Sequence, residues 1–330
     1  MSSTPISSSN DIGTSSGGSR AKPALIDPGS LMRIKNLELR ARSVVEGFLT
    51  GLHRSPYHGF SVEFTEYRQY SPGDDTRFLD WKLFARSDRY FIKCFEDETN
   101  LRCHLLVDMS RSMSYGTVGY QKAEYAKTIA ATIAYFLSLQ RDAVGLLTFD
   151  ESIVDHIPAR FRPGHIHRLM MSLERTPTGT ATDIEKALEQ IATTVAKRGM
   201  VVLISDLLTS LDTLEKQLGY LCARGHEVVV LRVLDPTEID FSFDKPAMFH
   251  DIESGRDLFI DPESVRESYL EQFRVHAKAL QIICSKLGIS LHQLPIDRPL
   301  ELMLFDLLSD RLNRNRHSVR QRSPLGGSGS

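Results

Sequence analysis

Cys103-His104-Leu105-Leu106-Val107-Asp108-Met109-Ser110-Arg111-Ser112 passes from an apolar run straight into one carboxylate and two hydroxyls. The run reads as a strand covered on both faces, the habit of a parallel sheet. Downstream the same pattern recurs. Strands are expected at Cys103–Asp108, Ala143–Phe149, Ile153–Ile157, Met200–Ser205, Glu227–Leu234 and Ser290–Gln293. Between them, helical spacing covers about Tyr120–Ser138, Gly164–Leu173, Thr182–Ala196, Ser210–Ala223, Pro262–Leu287 and Pro299–Asn313, and Phe249–Ile260 reads as a surface hairpin around Gly255. Strands alternating with helices give an α/β fold, a doubly wound, mostly parallel sheet with helices on both faces.

Upstream, Leu31, Ile34, Leu37, Val44, Val45, Phe48, Leu49 and Leu52 recur at three- and four-residue intervals. One amphipathic helix from Ser30, its expected N-cap, to about Leu52 follows. Phe60, Val62 and Phe64 then alternate as in a strand. Residues 1–28 and 317–330 are expected to be disordered tails, because their Ser, Gly and Pro offer little to bury against the entropy of ordering. Residues 29–100 form an N-terminal extension, and 101–316 the α/β domain.

Composition removes several classes of function. Forty basic against 42 acidic residues in 330 leave a net charge of −2, so no global field draws the chain to nucleic acid. The longest apolar runs, such as Ile133–Leu137 and Met200–Ile204, fall far short of the ~20 residues of a membrane span. No signal-peptide core is present, and the expectation is a cytoplasmic protein with no membrane span. Cys94, Cys103, Cys222 and Cys284 are widely spaced and read as small core side chains rather than a disulfide framework or a zinc site.

Ligands of open α/β sheets bind beyond the carboxyl ends of the strands. Asp108, Ser110 and Ser112 stand at one such end. Asp206, directly after Val201–Ser205, stands at another, and Thr182 lies in the loop Thr178-Gly179-Thr180-Ala181-Thr182-Asp183. All five are hard oxygen donors, which suit Mg²⁺ or Mn²⁺ and disfavour zinc. Asp108, Ser110, Ser112, Thr182 and Asp206 resemble the metal-ion-dependent adhesion site (MIDAS) of von Willebrand factor type A domains. That resemblance implies a type A, Rossmann-like domain with one metal site.

A second pattern precedes it: Arg68-x-Tyr70-x-Pro72-Gly73-Asp74-Asp75-x-Arg77-x-x-Asp80-Trp81, then Arg86. It is similar to the signature of the bacterial family known as domain of unknown function 58, and the two resemblances together span roughly residues 30–310. Members of that family lie near genes for MoxR-type AAA+ ATPases, so the resemblance implies such an ATPase, or its client, as partner. The residues themselves allow two roles. Arg68, Arg77 and Arg86 facing Asp74, Asp75 and Asp80 make a matched ion-pair network, the favoured reading, with Trp81 as a packing anchor. The alternative is a nuclease-like metal cluster of the three carboxylates.

His165-x-His167 falls on a short helix, where i and i+2 side chains diverge, and is not expected to hold metal. Arg311, Arg314, Arg316, Arg320 and Arg322 read as a solvated helix end. No nucleophile–base triad assembles from strand-end positions. The expected function is therefore non-enzymatic: a metal-dependent protein-binding module in which a partner's Asp or Glu completes the cation's shell. A metal-dependent hydrolase, using the same site or the Asp74/Asp75/Asp80 cluster, is the alternative.

Overall fold

The computed structural model of the chain describes residues 25–54, 66–69, 91–94, 101–150, 152–175, 184–195, 197–250 and 257–309. It opens with two helices where apolar spacing predicts one: α1 (Pro28–Met32) and α2 (Leu37–Arg54). The break has local causes. Asp27, not Ser30, caps α1, its carboxylate accepting from the Ser30 N–H at 2.7 Å with Pro28 in the first turn. Asn36 Oδ1 accepts from the Leu39 N–H at 2.8 Å and starts α2. Each cap satisfies a donor that has no partner inside its helix. The Arg40 guanidinium closes the gap by donating to the Ile34 carbonyl.

Strands β1 (Glu66–Gln69) and β2 (Phe91–Cys94) then pair antiparallel, Tyr67 opposite Lys93. Arg68 lies on β1, where only the backbone is described. Tyr70, Pro72, Gly73, Asp74, Asp75, Arg77, Asp80, Trp81 and Arg86 lie outside the described residues. So do Thr182, the strand expected at Phe60–Phe64, the arginine run after Asp310 and most of both tails.

The α/β part follows in the expected alternation. It runs β3 (Arg102–Asp108), a 3₁₀ turn (Arg111–Ser114), α3 (Lys122–Leu139), β4 (Ala143–Phe149), β5 (Ile153–Arg160) and α4 (His165–Leu173). Next come α5 (Ile184–Thr194), β6 (Met200–Ser205), α6 (Leu211–Ala223), β7 (Glu227–Leu234) and α7 (Pro236–Asp240). A hairpin of β8 (Ala247–His250) and β9 (Asp257–Ile260), the long α8 (Pro262–Leu287), β10 (Ser290–Pro295) and α9 over 300–309 complete it. No described helix is long and apolar enough to cross a membrane.

One six-stranded sheet has the order β10-β7-β6-β3-β4-β5. Its neighbours are parallel except β5, which runs antiparallel to β4 at the edge. In chain order this is the 3-2-1-4-5-6 winding of a doubly wound, Rossmann-like α/β fold. Side chains alternate between two apolar layers. Cys103, Leu105 and Val107 of β3 face α2 and α3, where Phe48 of α2 meets Phe136 at 5.9 Å and Phe305 of α9 at 4.7 Å, edge to face. Leu106 faces the other layer with Val201, Leu203, Leu188, Leu218 and Leu280. The helices before and after the sheet thus share one core with α3.

Winding reverses between β3 and β6. That pair of strand ends is the topological switch point, where the fold leaves a crevice for function.

Candidate metal centre

The switch point carries two carboxylates. Val107 of β3 pairs with Ile204 of β6, so both chains leave the sheet together, one at Asp108 and the other at Ser205-Asp206. Asp108 is fully buried and Asp206 is 2% exposed. The Ser205 hydroxyl donates to Asp108 Oδ2 at 2.6 Å, and the Ser110 N–H donates to Oδ1 at 2.8 Å. The 3₁₀ turn after Ser110 curls the chain back, which brings Ser112 Oγ within 3.1 Å of Ser110 Oγ. Past Asp206 the chain turns sharply. Leu207 has a left-handed φ of 56°, uncommon for a bulky side chain, and its N–H donates to Ser205 Oγ at 3.1 Å.

Burial, and the Asp206 carboxylate beside it, push the Asp108 carboxyl up to about 6. Two acids forced together in a dry place resist ionising together. Asp206 has a cation of its own: the Lys122 ammonium, fully buried at the start of α3, donates to Asp206 Oδ2 at 2.9 Å and to Glu238 Oε1 at 2.6 Å. Burial depresses Lys122, but those two carboxylates outweigh it and hold the ammonium above its ordinary value. Arg232, also buried, donates from Nε to the Asp206 carbonyl at 3.1 Å, and its guanidinium lies 5.0 Å over the Phe273 ring.

The loop between the 3₁₀ turn and α3 sets Lys122. Gly116 passes so close to the Tyr120 carbonyl that a Cβ there would lie 2.1 Å from it, which leaves room for glycine alone. The Lys122 N–H donates to the Tyr115 carbonyl at 2.8 Å. Asp235 accepts from the Thr117 N–H and hydroxyl, both at 2.7 Å, and forms a capping box with Glu238 at the start of α7. The arm that presents Glu238 to Lys122 is therefore bonded to the loop that presents Lys122.

The donor set fits a hard divalent cation. Asp108 lacks a cationic partner among the described residues, two hydroxyls sit beside it, and a second carboxylate is near enough to repel it. Among the described residues no three His, Cys, Asp or Glu side chains gather as a metal site, so a cation here rests on hydroxyl and carboxylate oxygens together.

The family model described as "Protein of unknown function DUF58" matches residues 66–279. The chain belongs to the DUF58 family. Uncharacterized protein Rv1480 of Mycobacterium tuberculosis is 30% identical over 292 residues, 84% of this chain and 91% of its own length. Among solved structures, the conserved hypothetical protein BatB of Bacteroides thetaiotaomicron aligns with a TM-score of 0.43 at 15% identity, covering 64% of this chain and 99% of BatB. The SpRpn10 VWA domain aligns with a TM-score of 0.36 at 12% identity, covering 62% and 93%.

In this DUF58 chain, Asp108, Ser110, Ser112 and Asp206 gather at the carboxyl ends of β3 and β6, while Thr182 lies outside the described residues. His165 and His167 diverge: His165 Nε2 lies 2.6 Å from the Val144 carbonyl in the core, and His167 is exposed near Glu38. Cys103 and Cys284 are core side chains, and burial lifts the Cys284 thiol to about 11, well away from reactivity. Sequence reasoning missed Lys122, Ser205 and Glu238. Signals for two of them existed. Lys122 continues the buried stripe Ala126, Ile129 and Ile133 of α3, a charge on the wrong face of a helix, and Asp235-x-x-Glu238 is a capping-box pattern.

Proposed function

We propose that this DUF58 chain is a metal-ion-dependent protein-binding module, with Asp108, Ser110, Ser112 and Asp206 holding Mg²⁺ or Mn²⁺ and Thr182 adding a further oxygen. The observation that supports it most is the pair of buried carboxylates at adjacent strand ends, with a serine hydroxyl pair alongside. A cation bound largely through neutral hydroxyls keeps positive character and an open position, which a partner's Asp or Glu can fill. The chain's own residues prepare that encounter. Ser205 and the Ser110 N–H orient Asp108, and the 3₁₀ turn holds the Ser110 and Ser112 hydroxyls side by side.

The module is read as non-catalytic. Titratable groups around the pair are engaged with one another, Lys122 with Asp206 and Glu238, which favours recognition over proton transfer. On the family resemblance, the proposed partner is a MoxR-type AAA+ ATPase or the client it remodels, in the cytoplasm, with this chain as adaptor in protein assembly or activation. The signature residues from Arg68 to Arg86 are proposed to serve as an ion-pair scaffold.

The test is capture of purified candidate ATPase by the tagged chain across Mg²⁺ concentrations and in EDTA. Capture should need the cation and should fall with Ser110→Ala/Ser112→Ala while the module stays folded. Capture indifferent to both EDTA and the double substitution would place binding on another surface.

A further inference from the structure

Lys122 is the least expected member of the centre. An ammonium in the interior is costly unless paired, and this one is paired twice, at 2.9 Å to Asp206 and 2.6 Å to Glu238. It therefore occupies one of the two Asp206 oxygens. The other accepts from the Leu208 N–H at 3.3 Å. Among the described residues Asp108 is met by neutral donors, the Ser110 N–H and hydroxyl and the Ser205 hydroxyl. The two carboxylates of the switch point are thus unequal: one is met by neutral donors and the other is already shared with an ammonium.

Resting on the metal-binding reading above, we propose that Lys122 sets the cation affinity of the centre, its fixed ammonium competing with the divalent ion for Asp206 and holding occupancy weak. Like charges a few ångströms apart in a poorly solvated site repel strongly, and Lys122 cannot swing into water because its side chain is wholly enclosed. Glu238 is the counterweight. By sharing the ammonium it draws that charge partly off Asp206, so α7, which carries Glu238, tunes the competition from the far side. Weak occupancy makes capture of a partner respond to the free cation concentration.

A scaffolding lysine predicts the opposite sign, because its loss would loosen Asp206 and weaken cation binding. The experiment is Mn²⁺ titration of the metal-stripped full chain, with unbound Mn²⁺ read by electron paramagnetic resonance and folding checked by circular dichroism. Lys122→Met should bind Mn²⁺ at least tenfold more tightly than wild type, and Glu238→Gln several-fold more weakly. The double variant Lys122→Met/Glu238→Gln leaves no unpaired Glu238, which safeguards folding, and should also bind at least tenfold more tightly. Wild-type binding with equal or weaker binding by the folded double variant would overturn the role of Lys122 alone. Absence of Mn²⁺ binding in every folded form would overturn the metal centre with it.

Discussion

Asp108 is held by two opposing demands. Its oxygens are well bonded, yet burial and Asp206 raise its carboxyl from 3.8 to about 6. A carboxyl raised on folding contributes stability that is full below its unfolded value and is lost as pH rises through the folded one. Near neutral pH the metal-free protein therefore bears the cost of an ionised Asp108. Asp108→Asn should raise stability in EDTA by about 1–3 kcal/mol, measured by urea unfolding at pH 7. The same variant should lose the stabilisation that added Mg²⁺ gives wild type. His104 works in the other direction. Burial first, then His226, His156 and Arg102, lower its imidazole to about 4. The unfolded chain takes up that proton first as pH falls, so stability should drop by up to about 3 kcal/mol between pH 6.5 and 4. Denaturant titrations of wild type and His104→Leu over that window should show the slope in the first and a flatter line in the second.

At the scale of elements, what was legible depended on how strongly a pattern repeats. β3, β6 and β7 are near-continuous apolar runs, and their ends, hence Asp108 and Asp206, could be placed from sequence. The break between α1 and α2 was hidden because Leu31, Ile34 and Leu37 keep helical spacing across it, and serine is as ready an N-cap as the aspartate and asparagine that serve. The β1–β2 ladder was hidden for a different reason: Glu66-Tyr67-Arg68-Gln69 is too polar to alternate. The stripe marks Lys122 as out of place but not why it is tolerated there, because its partners lie 84 and 116 residues away. Those partners depend on α7. Asp235 joins Thr117 to the first turn of α7, so Asp235→Ala should cost about 2–3 kcal/mol in a chemical melt through four lost charge-assisted bonds. A loss under 0.5 kcal/mol would mean that the loop is held elsewhere.

On the scale of the molecule, one sheet sorts structure from chemistry. Both faces are filled by helices, α2 and α9 completing the layer around α3, while the carboxyl ends of β3 and β6 stay polar. The helix before the sheet belongs to that core, so Phe48→Ala should cost about 3–5 kcal/mol in the unfolding free energy of the whole chain. A separate, later transition for the sheet would contradict a shared core. The proposed function stands on a divalent cation held at the switch point through mixed hydroxyl and carboxylate oxygens. Anomalous diffraction from crystals of the full chain grown with Mn²⁺ tests it most directly. One manganese peak is expected, bounded by Ser110 Oγ, Ser112 Oγ and the Asp108 carboxylate and absent from crystals of Asp108→Ala. A manganese peak only at surface carboxylates, or one at the switch point that survives Asp108→Ala, would contradict it.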